Sequence, residues 1–188
     1  LVKIDIAGKV LWEPEFPPGL GYKFNPAGWV IHAAIHEAMP HVHGVVHTHS
    51  LATMAVSSLA KGLLPMTQTA MRFDKIAYHD YEGIALRDDE KPRLQHDLGD
   101  KTFLMLRNHG LLVVGPTIAD TFLAMYFFET TCQIQITAQA TGDLIHIAAD
   151  IQGDTKKVMA TGTSGMGGQI AWPALLRKLD KIDTSYRN

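Results

Sequence analysis

Two near-continuous apolar runs, Thr102-Phe103-Leu104-Met105-Leu106 and Leu111-Leu112-Val113-Val114, limit most tightly how this chain can fold. A strand with one wet face alternates polar and apolar side chains, whereas runs like these read as strands covered on both faces. Between them sits Arg107-Asn108-His109-Gly110. The rest of the chain must therefore supply a layer on each side of a central sheet.

The patterning provides such layers. Residues 2–12 read as a hairpin, VKIDI and VLW around Ala7-Gly8-Lys9, and residues 13–27 hold four prolines and read as loop. Ile31, Ala34, Ile35 and Ala38 have helical spacing over 28–39, and Pro40 ends that helix. The segment 44–49 is short and β-branched, hence a strand; 51–61 reads as a helix stopped by Gly62. KIAY (75–78) is a further strand, and 90–99 a charged helix closed by Gly99. Thr117-Ile118-Ala119-Asp120 has capping-box spacing and opens a helix running to about Ala140. That helix is apolar on nearly every side at 122–128, so burial of part of it against another subunit is expected. Residues 152–169 are rich in Gly, Thr and Ser and read as a flexible linker, with a short amphipathic helix over 171–182. Strands interleaved with helices make the class α/β with the sheet in the middle.

At 188 residues, the length suits one domain with an extension. Seventeen Lys and Arg against nineteen Asp and Glu argue against a nucleic-acid binder. The single cysteine, Cys132, excludes an intrachain disulfide framework or a cysteine-rich zinc module. No apolar run reaches the ~18 residues that span a bilayer, so membrane insertion is not expected. The chain starts at Leu1 in mid-pattern, and we expect residues upstream of it.

Histidine carries the chemical signal. There are ten, six of them between positions 32 and 49. In His47-Thr48-His49, positions i and i+2 of a strand share a face, ~6.7 Å apart along the chain. Two imidazoles at that spacing can converge on one ion with a metal–nitrogen distance near ~2.1 Å. Alone, such a pair is better read as merely capping a strand end. His109, in a turn after a buried strand, is the best third ligand and turns the reading toward a metal. Three neutral nitrogens with a position left open describe a catalytic site rather than a closed structural one. Zinc is the default; iron, manganese and cobalt also suit such ligands.

The other histidines have blander readings. His32 and His36 lie one helical turn apart, but Glu37 follows the second, unlike the H-E-x-x-H order of metalloproteases. One is expected in the core and the other at the surface. His41 and His43 read as solvated, and His79, His96 and His146 have no partner at an informative spacing. The run 162–168 lacks G-K-[ST] and is not a phosphate loop, and Ser57-Ser58 have no G-x-S-x-G elbow.

Five ordered segments, NPAGWVIHAAIHEAMPHVHGVVHTHS, GLLPMTQTA, IAYHDYEGI, LRNHGLLVVG and FFETTCQIQ, together resemble the class II aldolase/adducin family over residues 1–142, leaving 143–188 as an extension. The resemblance implies a three-layer α/β/α sandwich on a mixed, largely antiparallel sheet. It also implies a cytoplasmic homotetramer with the active site near a subunit boundary, and zinc on His47, His49 and His109. In the aldolases, such a metal polarises the substrate carbonyl and stabilises the enediolate or enolate. Sugar-phosphate aldolases of the family carry Ser-Ser-Glu-Trp before the HxH pair, the serines holding phosphate and the glutamate moving the proton. Here Pro26-Ala27-Gly28-Trp29 stand in those places. Asn25–Gly28 and Ala77–Gly83 look more like the adducin branch, whose head domain is a non-catalytic oligomerisation module. Two functions therefore follow as expectations. One is a metal-dependent lyase (aldol-type cleavage or decarboxylation) acting on a small, non-phosphorylated carbonyl or carboxylate compound. The other is an adducin-like binding module that keeps the metal site. Asp80, Tyr81 and Glu82 are the candidates for proton transfer within the chain.

Overall fold

The computed structural model describes residues 1–17, 19, 24–73, 75–161 and 167–187. The chain opens with a small antiparallel hairpin, β1 (Lys3–Ile4) and β2 (Val10–Trp12). Its turn is set by Asp5, whose Oδ1 accepts the amides of Ala7 (3.0 Å) and Lys9 (2.8 Å). Helix α1 (Pro26–Ala38) starts two residues earlier than its apolar spacing suggests. The cause is Asn25, which accepts the Ala27 amide at 3.0 Å, with Pro26 in the first helical turn, where its missing N–H costs nothing.

The central sheet has four strands: β3 (Gly44–Thr48), β4 (Ile76–His79), β5 (Phe103–Leu106) and β6 (Gly110–Gly115). Their order is β3-β6-β5-β4, with β3/β6 and β6/β5 antiparallel and β5/β4 parallel. The sheet is thus mixed and largely antiparallel.

Each apolar run divides its side chains between two cores. On one face Leu104, Leu106, Leu112 and Val114 pack with Ile31, Ala34 and Ile35 of α1 and with Leu94 and Leu98 of α3 (Lys91–Leu98). On the other, Met105, Leu111 and Val113 meet Ala52 and Val56 of α2 (Leu51–Ser57) and Met125, Phe128 and Cys132 of α4 (Ile118–Thr141). Full burial of each such Leu or Phe contributes roughly 1.5–3 kcal/mol. The result is the three-layer α/β/α sandwich that the unbroken strand runs require.

Two segments differ from the sequence reading. Helix α2 ends at Ser57 rather than near Lys61. The Ser57 and Ser58 hydroxyls both donate back to the Met54 carbonyl, and such serine-to-backbone bonds compete with helix propagation. In the tail, α5 (Ala149–Thr161) occupies much of the stretch expected to be linker. Its one interior glycine, Gly153, costs about 1 kcal/mol, which the flanking helix formers offset. Residues 162–166 of the glycine-rich run lie outside the described residues.

The last long helix, α6 (Gly167–Asp180), packs on α4. The Gly168 amide donates to Asp120 Oδ1 (3.1 Å), and Trp172 meets Phe122 edge-on at 5.6 Å. Part of the apolar outer side of α4 is therefore covered by the chain itself, while Ile118 and Tyr126 remain exposed. No helix among the described residues is long and apolar enough to cross a membrane.

Candidate metal centre

Strand β3 delivers the first two histidines. Its side chains alternate across the sheet, and His47, paired with Leu112, projects on the face covered by α1. His49 lies just past the strand end at Thr48. The third comes from the β5–β6 connection, where the Leu106↔Gly110 pairing leaves only Arg107, Asn108 and His109 to reverse the chain. Asn108 makes this possible with φ 57°, a left-handed conformation that asparagine tolerates better than most residues. Asn108→Gly is expected to keep wild-type stability within about 1 kcal/mol. Asn108→Val should cost roughly 1–2 kcal/mol in denaturant unfolding.

The three rings converge. His49 Nε2 lies 2.9 Å from His47 Nε2 and 2.8 Å from His109 Nε2, with ring centroids 4.6–4.8 Å apart. His47 Nδ1 is 3.0 Å from the Leu111 carbonyl, which can only accept, so Nδ1 carries the proton and Nε2 a lone pair. Neutral rings supply too few protons for both short contacts. If His49 Nε2 donates to one neighbour, it faces the other without a second proton; if it accepts from His109, two lone pairs meet at His47. A cation in the middle removes that conflict. Tetrahedral coordination at ~2.05 Å puts nitrogens about 3.4 Å apart, so the rings need to open by only about half an ångström. The donor set could therefore hold a divalent ion, with His47 oriented by a backbone carbonyl in the manner usual for ligating histidines.

The electrostatics suit a cation as well. Burial, and then the nearness of His109, push the His47 imidazole down to about 4, and burial followed by His49 lowers His109. Each shift favours the neutral ring, the form that binds a metal.

Beside the triad opens a cavity of about 470 Å³, lined by Asn25, Gly28, Ile31, Met54, Tyr81 and Asn108 among others. Among its described lining residues there is no Lys, Arg, Ser or Thr. Gly28 stands in the first turn of α1, and a Cβ there would meet nothing nearer than Asn25 Cβ at 3.8 Å. The wall has room for a side chain but offers no proton carrier at that position.

The remaining candidates separate. Tyr81 lines the cavity, its ring edge-on to His109 at 6.4 Å. Asp80 is exposed and paired with Arg107 Nε at 3.3 Å. Glu82 is held by two 2.6 Å bonds from Arg93, which keep its carboxyl below the usual range. His32 is half-buried and His36 exposed, while His41, His43, His96 and His146 are exposed.

Two polar residues escaped the sequence reading. His79 is buried and bonded through Nδ1 to Asp97 Oδ2 at 2.8 Å, a partner on α3 that no local spacing announces. Glu129, on α4, accepts from the Ser50 hydroxyl (2.6 Å) and the Thr53 amide (3.2 Å), pinning the turn that follows His49. Glu129→Ala is expected to lower stability by about 2–3 kcal/mol, measured by chemical denaturation, because hydrogen bonds to a charged group are lost.

The family model for the Class II Aldolase and Adducin N-terminal domain matches residues 1–136. A solved aldolase II superfamily protein from Pseudomonas syringae superposes with a TM-score of 0.87 at 40% identity, covering 100% of this chain and 73% of that one. L-fuculose 1-phosphate aldolase from Glaciozyma antarctica PI12 gives 0.76 at 28% identity, covering 95% and 68%. Gamma-adducin of Homo sapiens is 34% identical over an alignment of 198 residues that covers 97% of this chain but only 27% of the adducin.

Proposed function

This chain belongs to the class II aldolase and adducin family, and from that membership we propose that it is a divalent-metal-dependent lyase. Its reaction is aldol-type cleavage or decarboxylation of a small, non-phosphorylated carbonyl or carboxylate compound. The observation that carries this reading is the convergence of three histidine Nε2 atoms on the wall of a substrate-sized cavity. His47, His49 and His109 would hold the ion, zinc by default, with iron, manganese or cobalt as alternatives. When bound, the ion supplies Lewis-acid polarisation of a carbonyl oxygen as a carbon–carbon bond breaks.

The chain's own residues do the rest. Ile31 and Met54 make the wall apolar and exclude water, which strengthens electrostatic interactions inside. Asn25, Asn108 and Tyr81 are the polar groups at hand to orient a substrate. The absence of Lys, Arg, Ser and Thr from the described lining favours a substrate without phosphate. We read residues 1–142 as the domain and 143–188 as its extension, in a cytoplasmic homo-oligomer, with a tetramer favoured.

The adducin relative supports a second reading, a binding module with the same fold and metal site but no turnover, and Gly28 is the feature in its favour. Metal-loaded protein assayed against hydroxy-aldehydes, keto acids and aromatic acids separates the two. Metal-dependent turnover that disappears in His47→Ala establishes the lyase. Metal binding without turnover across the panel overturns it in favour of the module.

A further inference from the structure

His79 presents an unusual arrangement close to the triad. Its Nδ1 donates to Asp97, whose carboxyl burial would push up, but which the bonds from His79 and His96 hold below the usual range. The opposite nitrogen, Nε2, is buried and makes no hydrogen bond. Glu90 Oε1 lies 3.5 Å and Glu82 Oε1 3.9 Å from it. Glu90 is itself buried, at 5% exposure, a costly position for a carboxyl group without a close partner.

His79 also lines a cavity of about 10 Å³, together with Glu82, Glu90, Tyr81 and His109 among others. About that much space holds one water molecule, and buried waters occupy sites with several polar neighbours. Ile31, Tyr81, Gly83 and His109 line both this cavity and the large one, so the two adjoin.

We propose that His79 is the proton-relay residue of this site, exchanging a proton with the substrate through one water held in the cavity it shares with His109. The inference rests on the lyase reading and fills the gap left by Gly28. A hydrogen on the carbon next to the substrate carbonyl passes to the water as a proton, and the water passes a proton to His79 Nε2. The electron pair of the broken C–H bond stays on the substrate as its enolate and is quenched by a hydron returned along the same route. Asp97 fixes the ring through Nδ1–H, and Glu90 and Glu82 face the cationic form from the other side. The charges around them are His96 on Asp97, Arg93 and Arg87 on Glu82, and the Arg107–Asp80 pair, whose Arg107 amide donates to the His79 carbonyl.

Exchange of the carbon-bound hydrogens of hydroxyacetone in D2O, followed by proton NMR with the zinc-loaded full chain, tests this. Wild-type protein is expected to catalyse exchange and His47→Ala to abolish it. His79→Gln, which can still donate to Asp97 but cannot carry a proton, should slow exchange by about 100-fold or more with zinc affinity and fold retained. Glu90→Gln serves as a second variant and should also slow exchange without loss of zinc. Exchange lost in His47→Ala but unchanged in both His79→Gln and Glu90→Gln overturns the relay alone. No exchange by the zinc-loaded wild type overturns the lyase reading and the relay with it. A high-resolution crystal structure gives a readout without activity. An ordered water bonded to His79 Nε2 on the His109 side supports the relay, and Nε2 closed directly onto Glu90 with no intervening site overturns it.

Discussion

Removal of any one imidazole from the triad is expected to abolish tight metal binding. Elemental analysis of protein dialysed against zinc should find about one ion per chain in the wild type. His47→Ala, His49→Ala and His109→Ala should each retain almost none at the same free zinc. The expectation follows from the geometry: two nitrogens are too few to hold the ion tightly, because the fourth coordination position of a catalytic site is left to water or substrate. The same ion should stabilise the fold, because the unfolded chain separates His109 from the HxH pair by sixty positions. At free zinc about 100-fold above the dissociation constant, the linkage term is about 2.7 kcal/mol. For a chain of this size that corresponds to a rise in Tm of about 5–11 °C. The rise should vanish in His47→Ala. A wild type whose Tm does not respond to zinc, cobalt, manganese or iron would remove the metal from the site.

The second large effect is expected at Gly110. A Cβ there would run into the carbonyl oxygen of Thr48 and stand 3.5 Å from His47 Cε1. Neither contact is the free end of a flexible side chain; one is strand backbone and the other a proposed ligand ring. Gly110→Ala therefore has to push the start of β6 away from β3, next to His109 and the HxH pair. Overpacking of this kind costs about 3 kcal/mol, visible as a lower denaturation midpoint. Metal affinity should fall at least about 10-fold in the fraction that folds, since an error of about 1 Å in ligand placement is enough to loosen such a site. Gly28→Ala is the control, with only ordinary contacts awaiting its Cβ. It should be neutral or stabilising by about 0.5–1 kcal/mol, as expected for alanine replacing a helical glycine.

Much of the architecture could be read from residue order because its causes are local or periodic. Runs without a polar member, at Phe103–Leu106 and Leu111–Val114, demand cover on both faces, and the sandwich follows. The HxH pair and His109 were legible for a similar reason. Strand alternation puts His47 and His49 on one face, and Asn-His-Gly announces a tight reversal, which the structure places at the same end of the sheet. Boundaries were less legible where side chains compete for backbone groups, as at the serines that stop α2 and the asparagine that starts α1. The helical tail is hidden by composition, since a glycine count does not register how well the residues between glycines form a helix.

What the sequence by itself determined is the layered fold and the candidacy of His47, His49 and His109, because both depend on spacing along one strand or one turn; their convergence across sixty positions came from the pairing of β3 with β6. Only the tertiary structure decided which polar groups surround them. Asp97 and Glu90 reach His79 from a helix and a short turn eighteen and eleven positions on, and Glu129 reaches Ser50 across seventy-nine positions. Such contacts pair groups by the packing of one layer on another, a distance that no periodicity in the sequence encodes. The same holds for Trp172 of α6 against α4. An apolar helix face states that it must be covered, and only the folded chain shows that part of the cover is its own.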